Sequence, residues 1–467
     1  MSIRSRKPAW PVSALLLLAV LLYSCNQGAG DYVRPIYTDY TVPGQVVLSF
    51  PKVDGKQLPT TRFSIDHINH RIYNTTPLPY GSELDSAYLQ LVLSNQLKVS
   101  VRNVDSGKTV LWDHQGSDTT LISFKGGRME LTIQTDKKKD NQSVTYDFRV
   151  LTYGYDPNKL VWTDMSNGLP IPTEETRTVV LPGEKRYLLS RLGEETSLLE
   201  ISTLDPLVIR PVAEAQLPKG LRPYTAYTSS KGDTWALDGA GHLFSSLDLV
   251  KWESRTPAGV TVTQILSVRT GAVYLVGTED GKSYSIYRLD KQSNAATKVE
   301  SVRETFPIRD SYVHEYEIAS TPHMLLFGGT LASDRPITTG FFSSDLVEWG
   351  ALPSNVVYPS EGALYVTTTD RETLYRIGGV YEKGRRQSTI FKSSDNGVTW
   401  TQMETEKAPG KDFLPISHAG GYYYESPTGE SLFIFGGRVG HDGESTRRVW
   451  RGTIDRSAGI INDFTRK

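Results

Sequence analysis

Ile390-Phe391-Lys392-Ser393-Ser394-Asp395-Asn396-Gly397-Val398-Thr399-Trp400 reads as a strand, a tight turn and a tryptophan that opens the next strand. Asp395 can accept turn amides, Gly397 can take a positive φ, and Trp400 can fill the gap between two sheets. The pattern recurs as Leu243-Phe244-Ser245-Ser246-Leu247-Asp248-Leu249-Val250-Lys251-Trp252 and as Phe341-Phe342-Ser343-Ser344-Asp345-Leu346-Val347-Glu348-Trp349. The copy at 343 lacks the glycine and is one residue short, and the copy at Ser245 has Asp248 displaced. The period is about 50 residues, the signature of a repeat architecture.

Working outward, the same strand pair recurs without tryptophan as Ser285-Ile286-Tyr287-Arg288-Leu289 with Thr297-Lys298-Val299, and as Leu198-Leu199-Glu200-Ile201 with Val208-Ile209-Arg210. Upstream of the pairs lie strands ending in paired glycines, Phe327-Gly328-Gly329, Ile377-Gly378-Gly379 and Phe435-Gly436-Gly437. A four-stranded unit of roughly 40 to 50 residues that buries its faces only against its neighbours is a propeller blade. Counting units predicts a six-bladed β-propeller over 159–467. Its last copy ends in a third strand, 448–454, with no fourth after it, while 159–163 stands alone at the start. Pairing of these N- and C-terminal strands would close the ring and remove an exposed edge.

Upstream, 42–155 alternates apolar and polar residues in short runs such as Val46-Val47-Leu48-Ser49-Phe50, Leu97-Lys98-Val99-Ser100-Val101 and Met129-Glu130-Leu131-Thr132-Ile133, separated by turn signals at Asp54-Gly55, Ser106-Gly107 and Gly126-Gly127. Seven or so strands in roughly 110 residues predict an immunoglobulin-like β-sandwich without its disulfide. The whole chain is therefore expected to be all-β, with a boundary at Asp156-Pro157-Asn158. Composition agrees, since 40 Gly, 25 Pro and 25 Tyr favour strands and turns over packed helices.

Lys+Arg 51 against Asp+Glu 52 gives a formal charge of -1, which provides no field for nucleic acid, so no nucleic-acid partner is expected. Arg4, Arg6 and Lys7 precede an apolar run at 14–22 that is too short to span a bilayer and reads as a cleavable signal, 1–24. It ends in Leu22-Tyr23-Ser24-Cys25, which resembles the bacterial lipobox. That resemblance implies lipidation of Cys25, the single cysteine, followed by a polar tether over 25–41, and an outer-membrane lipoprotein facing the periplasm or the cell surface. Two or three acyl chains hold a protein stably where one does not.

The Gly-Gly strand ends with tryptophan about 20 residues on resemble kelch blades, and Ser393, Asp395, Gly397 and Trp400 fit the Asp-box of sialidase-like propellers. Together with the lipobox and the small β domain, the chain resembles a lipoprotein family of unassigned function typical of Bacteroidetes. Sialidase chemistry would need an arginine cluster, a tyrosine nucleophile and an acid/base aspartate. The Arg-Ile-Pro signature near the first blade of such enzymes is absent, and Ile209-Arg210-Pro211 inverts it. The Asp-box is therefore read as structural, and no catalytic residue is assigned.

Propellers bind through the loops leading into their inner strands, and aligning the repeats puts Arg222, Tyr224, Arg309, Asp310, Tyr358 and His418 at such positions. Rings and charges of this kind suit a sugar or a peptide. His67 and His70 stand three apart, so in a strand they face opposite sides, and they read as a solvated hairpin rather than a metal site. No metal and no cofactor is expected. The leading functional expectation is a binding or scaffold module in glycan handling, with a glycan or an envelope protein as partner. The alternatives are a sialidase-like glycoside hydrolase and an assembly module for an envelope complex.

Overall fold

A computed structural model describes residues 43–49, 60–93, 97–112, 121–135, 143–157, 159–318, 321–337, 339–352, 361–369, 373–381, 384–404, 408–427 and 429–464. The signal, Cys25, the tether and Tyr358 lie outside the described residues. Every named element is a strand, and among the described residues no helix is long and apolar enough to cross a membrane. The chain forms two compact units, 1–154 with 459–467, and 155–458.

In the first unit a four-stranded sheet contains Pro43–Ser49 and Ala87–Leu93 at its centre, and a six-stranded sheet contains Ser143–Arg149, Arg128–Thr135 and Leu97–Asn103. Period-two alternation sends Val46, Leu48, Leu89, Val99, Val101 and Leu131 into one shared core. Trp112 closes it, and its indole N–H donates to the Leu89 carbonyl at 2.9 Å. The six-stranded sheet includes a parallel pair, Ser143–Arg149 beside Arg71–Tyr73. Asp66 accepts the Ile68 and Asn69 amides at 3.1 and 3.0 Å, which turns the chain between His67 and His70 and brings both rings against Tyr146.

The sequence expectation ran the propeller to 467, but the tail from Gly459 belongs with the first unit. Ile460–Ile461 pairs with Thr152–Tyr153, and Asn462 donates to the carbonyls of Gly126 and Val150 at 2.8 and 3.1 Å. Phe464 lies under the guanidinium groups of Arg149 and Arg71, at 4.1 and 4.8 Å. The tail is thus held by cation–π contacts and backbone pairing with residues far from it in sequence.

Among the described residues, the second unit contains six four-stranded antiparallel sheets. Their first strands are Glu175–Leu181, Leu221–Thr228, Thr261–Val268, Tyr312–Ile318, Leu364–Thr367 and Gly420–Ser426. Five sheets are built from consecutive strands, with two-residue strands inserted in the fifth only. The sixth takes its fourth strand from the other end of the chain: Val161–Met165 pairs with Val449–Asp455, with Trp162 opposite Gly452. The Trp162 ring lies over that glycine, where an added Cβ would stand 3.1 Å from three ring atoms.

Six apolar clusters fill the gaps between neighbouring sheets. Leu189 packs with Ala236, Leu237 with Leu275, Val276 with Leu326, Leu325 with Leu374, and Ile377 with Leu432. The sixth cluster joins the last sheet to the first, with Phe433 and Phe435 beside Leu188 and Leu199. A sheet packed on both faces needs an apolar run rather than alternation, and Gly429–Phe435 is buried along its whole length.

The turn that decided the fold has the geometry its residues call for. Asp395 accepts the Thr399 amide and hydroxyl at 2.8 and 2.6 Å, the Gly397 amide donates to Ser393 Oγ at 2.8 Å, and Gly397 has φ 84°. Trp400 fills the gap toward Phe327 and Tyr365. In the copy at 243–252 it is Ser246, not Ser245, that plays the serine role, so Asp248 is in register and holds the Val250 and Lys251 amides, each at 2.9 Å. Leu249 and Leu346 take the positive φ in the copies lacking glycine, at 64° and 68°.

Candidate functional site

The residues leading into the six first strands converge, one from each sheet, although they are spread over more than half the chain. Glu175 of the first sheet accepts the Tyr224 amide of the second at 2.8 Å. Arg222 reaches Asp310, at the start of the fourth, at 2.6 Å. Gln264 of the third accepts the Ser311 amide at 3.1 Å and donates to its carbonyl at 3.3 Å. His418, before the sixth, donates its amide to the Gly362 carbonyl at 2.7 Å, and its own carbonyl accepts the Thr176 amide at 2.9 Å. The loops are thereby tied to one another by groups buried at their meeting point, which fixes their positions without relying on the loop backbones alone.

Charge is concentrated here. Glu175 is buried and bound by Arg191 at 2.7 Å, while Asp310 is 5% exposed and bound by Arg222. Burial pulls the Arg222 guanidinium toward neutrality, but Asp310 and Glu175 outweigh it and hold its pKa above the ordinary value. His418 is shifted the other way: burial keeps its pKa below that of a free imidazole even though Glu175 and Asp310 favour the cation. Its ring packs edge-on against Tyr224 at 5.2 Å and occupies the space a Cβ on Gly362 would fill. Ligand atoms of Asp310, Glu361 and His418 lie within 4.8 Å of one another, so this trio could hold a divalent cation if Arg222 released Asp310.

The residues singled out in the sequence fare differently. Arg222, Asp310 and His418 meet at this point. Tyr224 lies beside them but is 4% exposed, and its hydroxyl donates to the Ala363 carbonyl at 2.7 Å, so it is part of the wall. Arg309 donates to Asp334 at 2.5 Å, with its Nε 4.0 Å from Asp310 Oδ2 at the edge of the cluster. Sequence reasoning missed Glu175, which opens the first strand of its sheet, and Gln264, which lies within the first strand of the third.

Inside the second unit a cavity of about 610 Å³ is bordered by Tyr227, Tyr312, Tyr316 and Tyr422, with Arg177 among them. Tyr312 stacks on Tyr365 at 4.8 Å, and the Arg177 guanidinium lies over Tyr312 at 5.2 Å and over Tyr224 at 6.0 Å. Arg177 thus stands next to the wall tyrosine of the polar cluster. Glu315, which also borders the cavity, is neutralised by Arg269 at 2.6 Å and accepts the Tyr227 hydroxyl at 3.1 Å.

Repeated four-stranded sheets around convergent first strands define the class, a protein carrying a β-propeller. The chain belongs to the DUF6242 family: the family's beta propeller domain matches residues 156–463, and its N-terminal domain, a domain of unknown function, matches residues 45–150. Among solved structures it is similar to that of YjhT, at 12% identity and a TM-score of 0.42, over 62% of this chain and 98% of that one. It is also similar to a DUF4623 family protein from Bacteroides eggerthii, at 12% identity and a TM-score of 0.32, over 89% and 98%. YCF48 bound to D1 peptide gives 12% and 0.35, over 63% and 98%. No curated protein matches.

Proposed function

We propose that the protein is an outer-membrane lipoprotein, anchored through Cys25, in which an immunoglobulin-like sandwich accompanies a six-bladed propeller closed by strand Val161–Met165, and that the propeller binds a ligand without turning it over. The ligand class is a glycan met in the cell envelope. The observation that carries this reading is the pairing of a fixed polar cluster, drawn from all six sheets, with a tyrosine-bordered cavity of about 610 Å³ beside it. A cavity of this size with a few placed polar groups is the ordinary form of a small-ligand site. Rings with hydroxyl tips offer stacking to the apolar face of a sugar and hydrogen bonds to its edge.

The ion pair between Arg222 and Asp310 weighs against hydrolysis, because a general acid must be free to carry and release a proton. Screening on a glycan array and against sialosides and aryl glycosides separates the readings. Saturable binding without product release supports the proposal. Turnover abolished by Glu361→Gln or Asp310→Asn would replace it with a glycoside hydrolase. Silence in both screens with a stoichiometric envelope partner on purification would replace it with an assembly module.

A further inference from the structure

We propose that the tyrosine-bordered cavity takes a carboxylate-bearing sugar, one or two rings in size, with Arg177 as the partner of the carboxylate. The inference rests on the reading that the propeller binds a ligand, and it specifies where and of what charge. Arg177 sits on the first strand of the first sheet, half-buried, and its guanidinium makes no hydrogen bond or ion pair among the described residues. Its guanidinium carbon lies over the Tyr312 ring at 5.2 Å and over the Tyr224 ring at 6.0 Å from the centroids. A guanidinium held over rings in this way is restrained in position by cation–π attraction, and its planar fork of N–H groups can receive a carboxylate through two parallel hydrogen bonds.

Charge at the cavity favours an anion. Its titratable lining, among the described residues, is Arg177, Glu315, His314 and the tyrosines. Arg269 neutralises Glu315, and burial raises the pKa of Tyr227 and Tyr316, so these phenols carry no charge at neutral pH. Arg177 is thereby left as the uncompensated charge. A single guanidinium matches a single carboxylate, whereas a phosphate dianion calls for more cations than this lining has. Around it, the Thr367 hydroxyl can pair with a ring hydroxyl, and Tyr227 and Tyr422 border the space a sugar ring would take.

The test is calorimetric titration of the full chain with glucuronate and galacturonate, and with glucose and galactose as their neutral counterparts, repeated on Arg177→Gln and Arg177→Lys. The expected result is saturable binding of at least one uronate, at least tenfold tighter than its neutral counterpart. Arg177→Gln should weaken it at least tenfold at an unchanged unfolding midpoint, with Arg177→Lys in between because it keeps the charge but loses the planar fork. Equal binding of acid and neutral sugars, or uronate binding indifferent to Arg177→Gln, would overturn the carboxylate assignment and leave the binding reading standing. No uronate binding beside a positive glycan array would overturn it in the same way, whereas silence in both would remove the binding reading as well.

Discussion

Arg222 Nη2 lies 2.6 Å from Asp310 Oδ1, an ion pair that skips a sheet, since Arg222 belongs to the second and Asp310 leads into the fourth. Asp310 is 5% exposed and adopts φ 56°, a conformation in which aspartate and asparagine are better tolerated than most residues. Removing one partner strips the other, largely buried charge of its hydrogen-bonded counter-ion. Arg222→Met should therefore destabilise by about 3 kcal/mol, and Asp310→Asn by a comparable amount, while the double variant should lose less than the sum. Urea unfolding of the four proteins gives the cycle, and an interaction energy near zero would show that the pair does not hold the loops together.

His418 sets a pH dependence. Burial holds its folded-state pKa below the unfolded value, so the unfolded chain binds the extra proton first as the solution is acidified. The stability that comes from keeping the ring neutral is complete above the unfolded pKa of about 6.5 and is lost as pH falls from there through the folded value. His418→Asn, which suits the φ of 56° at this position, should flatten that slope below about pH 6.5. An unchanged slope in thermal midpoint against pH would mean the imidazole titrates as if free.

Trp162 and Gly452 lie opposite each other where the two ends of the propeller share a sheet. Trp162→Ala removes the ring that covers Gly452 and approaches Phe413, and should cost about 3 kcal/mol. Cutting the chain after Arg447 removes the partner strand altogether and should abolish cooperative unfolding of the propeller. A truncated propeller that melts cooperatively at the parent midpoint would contradict closure through this sheet.

How far the sequence reaches is visible in particular residues. Trp400, Gly397 and Asp395 were legible because a turn and a gap-filling ring are local demands, met within eight residues. The lone strand at 161–165 was legible because a four-stranded repeat left its last copy one strand short. Leu249 and Leu346 hid how the two glycine-free copies turn, since leucine gives no hint of a positive φ. Glu175 and Gln264 hid for another reason: their partners, Tyr224 and Ser311, lie 49 and 47 residues away, and no local pattern selects them. Tyr224 looked like an exposed ring because it follows a proline in a strand-leading loop, a context identical for a wall residue and a ligand platform. The tail at 459–464 gave no signal of its own, since Phe464 finds its cations, Arg149 and Arg71, only after the first unit has folded.

The proposed lipid anchoring would depend on Cys25, the chain's single cysteine. Cys25→Ala should move the protein from the membrane fraction to the soluble fraction, because the acyl chains that hold it would be missing. Co-sedimentation of the variant with outer membranes at the parent's level would contradict lipid anchoring.

Titration of the strongest glycan-array ligand into the full chain and into Tyr312→Ala tests most directly whether the propeller's cavity is where the protein binds. Tyr312 borders the cavity between Tyr365 and Arg177, so its loss removes the ring over which the Arg177 guanidinium is held. The expected result is saturable binding that weakens at least tenfold in the variant, about 1.4 kcal/mol. Binding of equal strength in both proteins would place the site elsewhere and contradict this reading of the cavity.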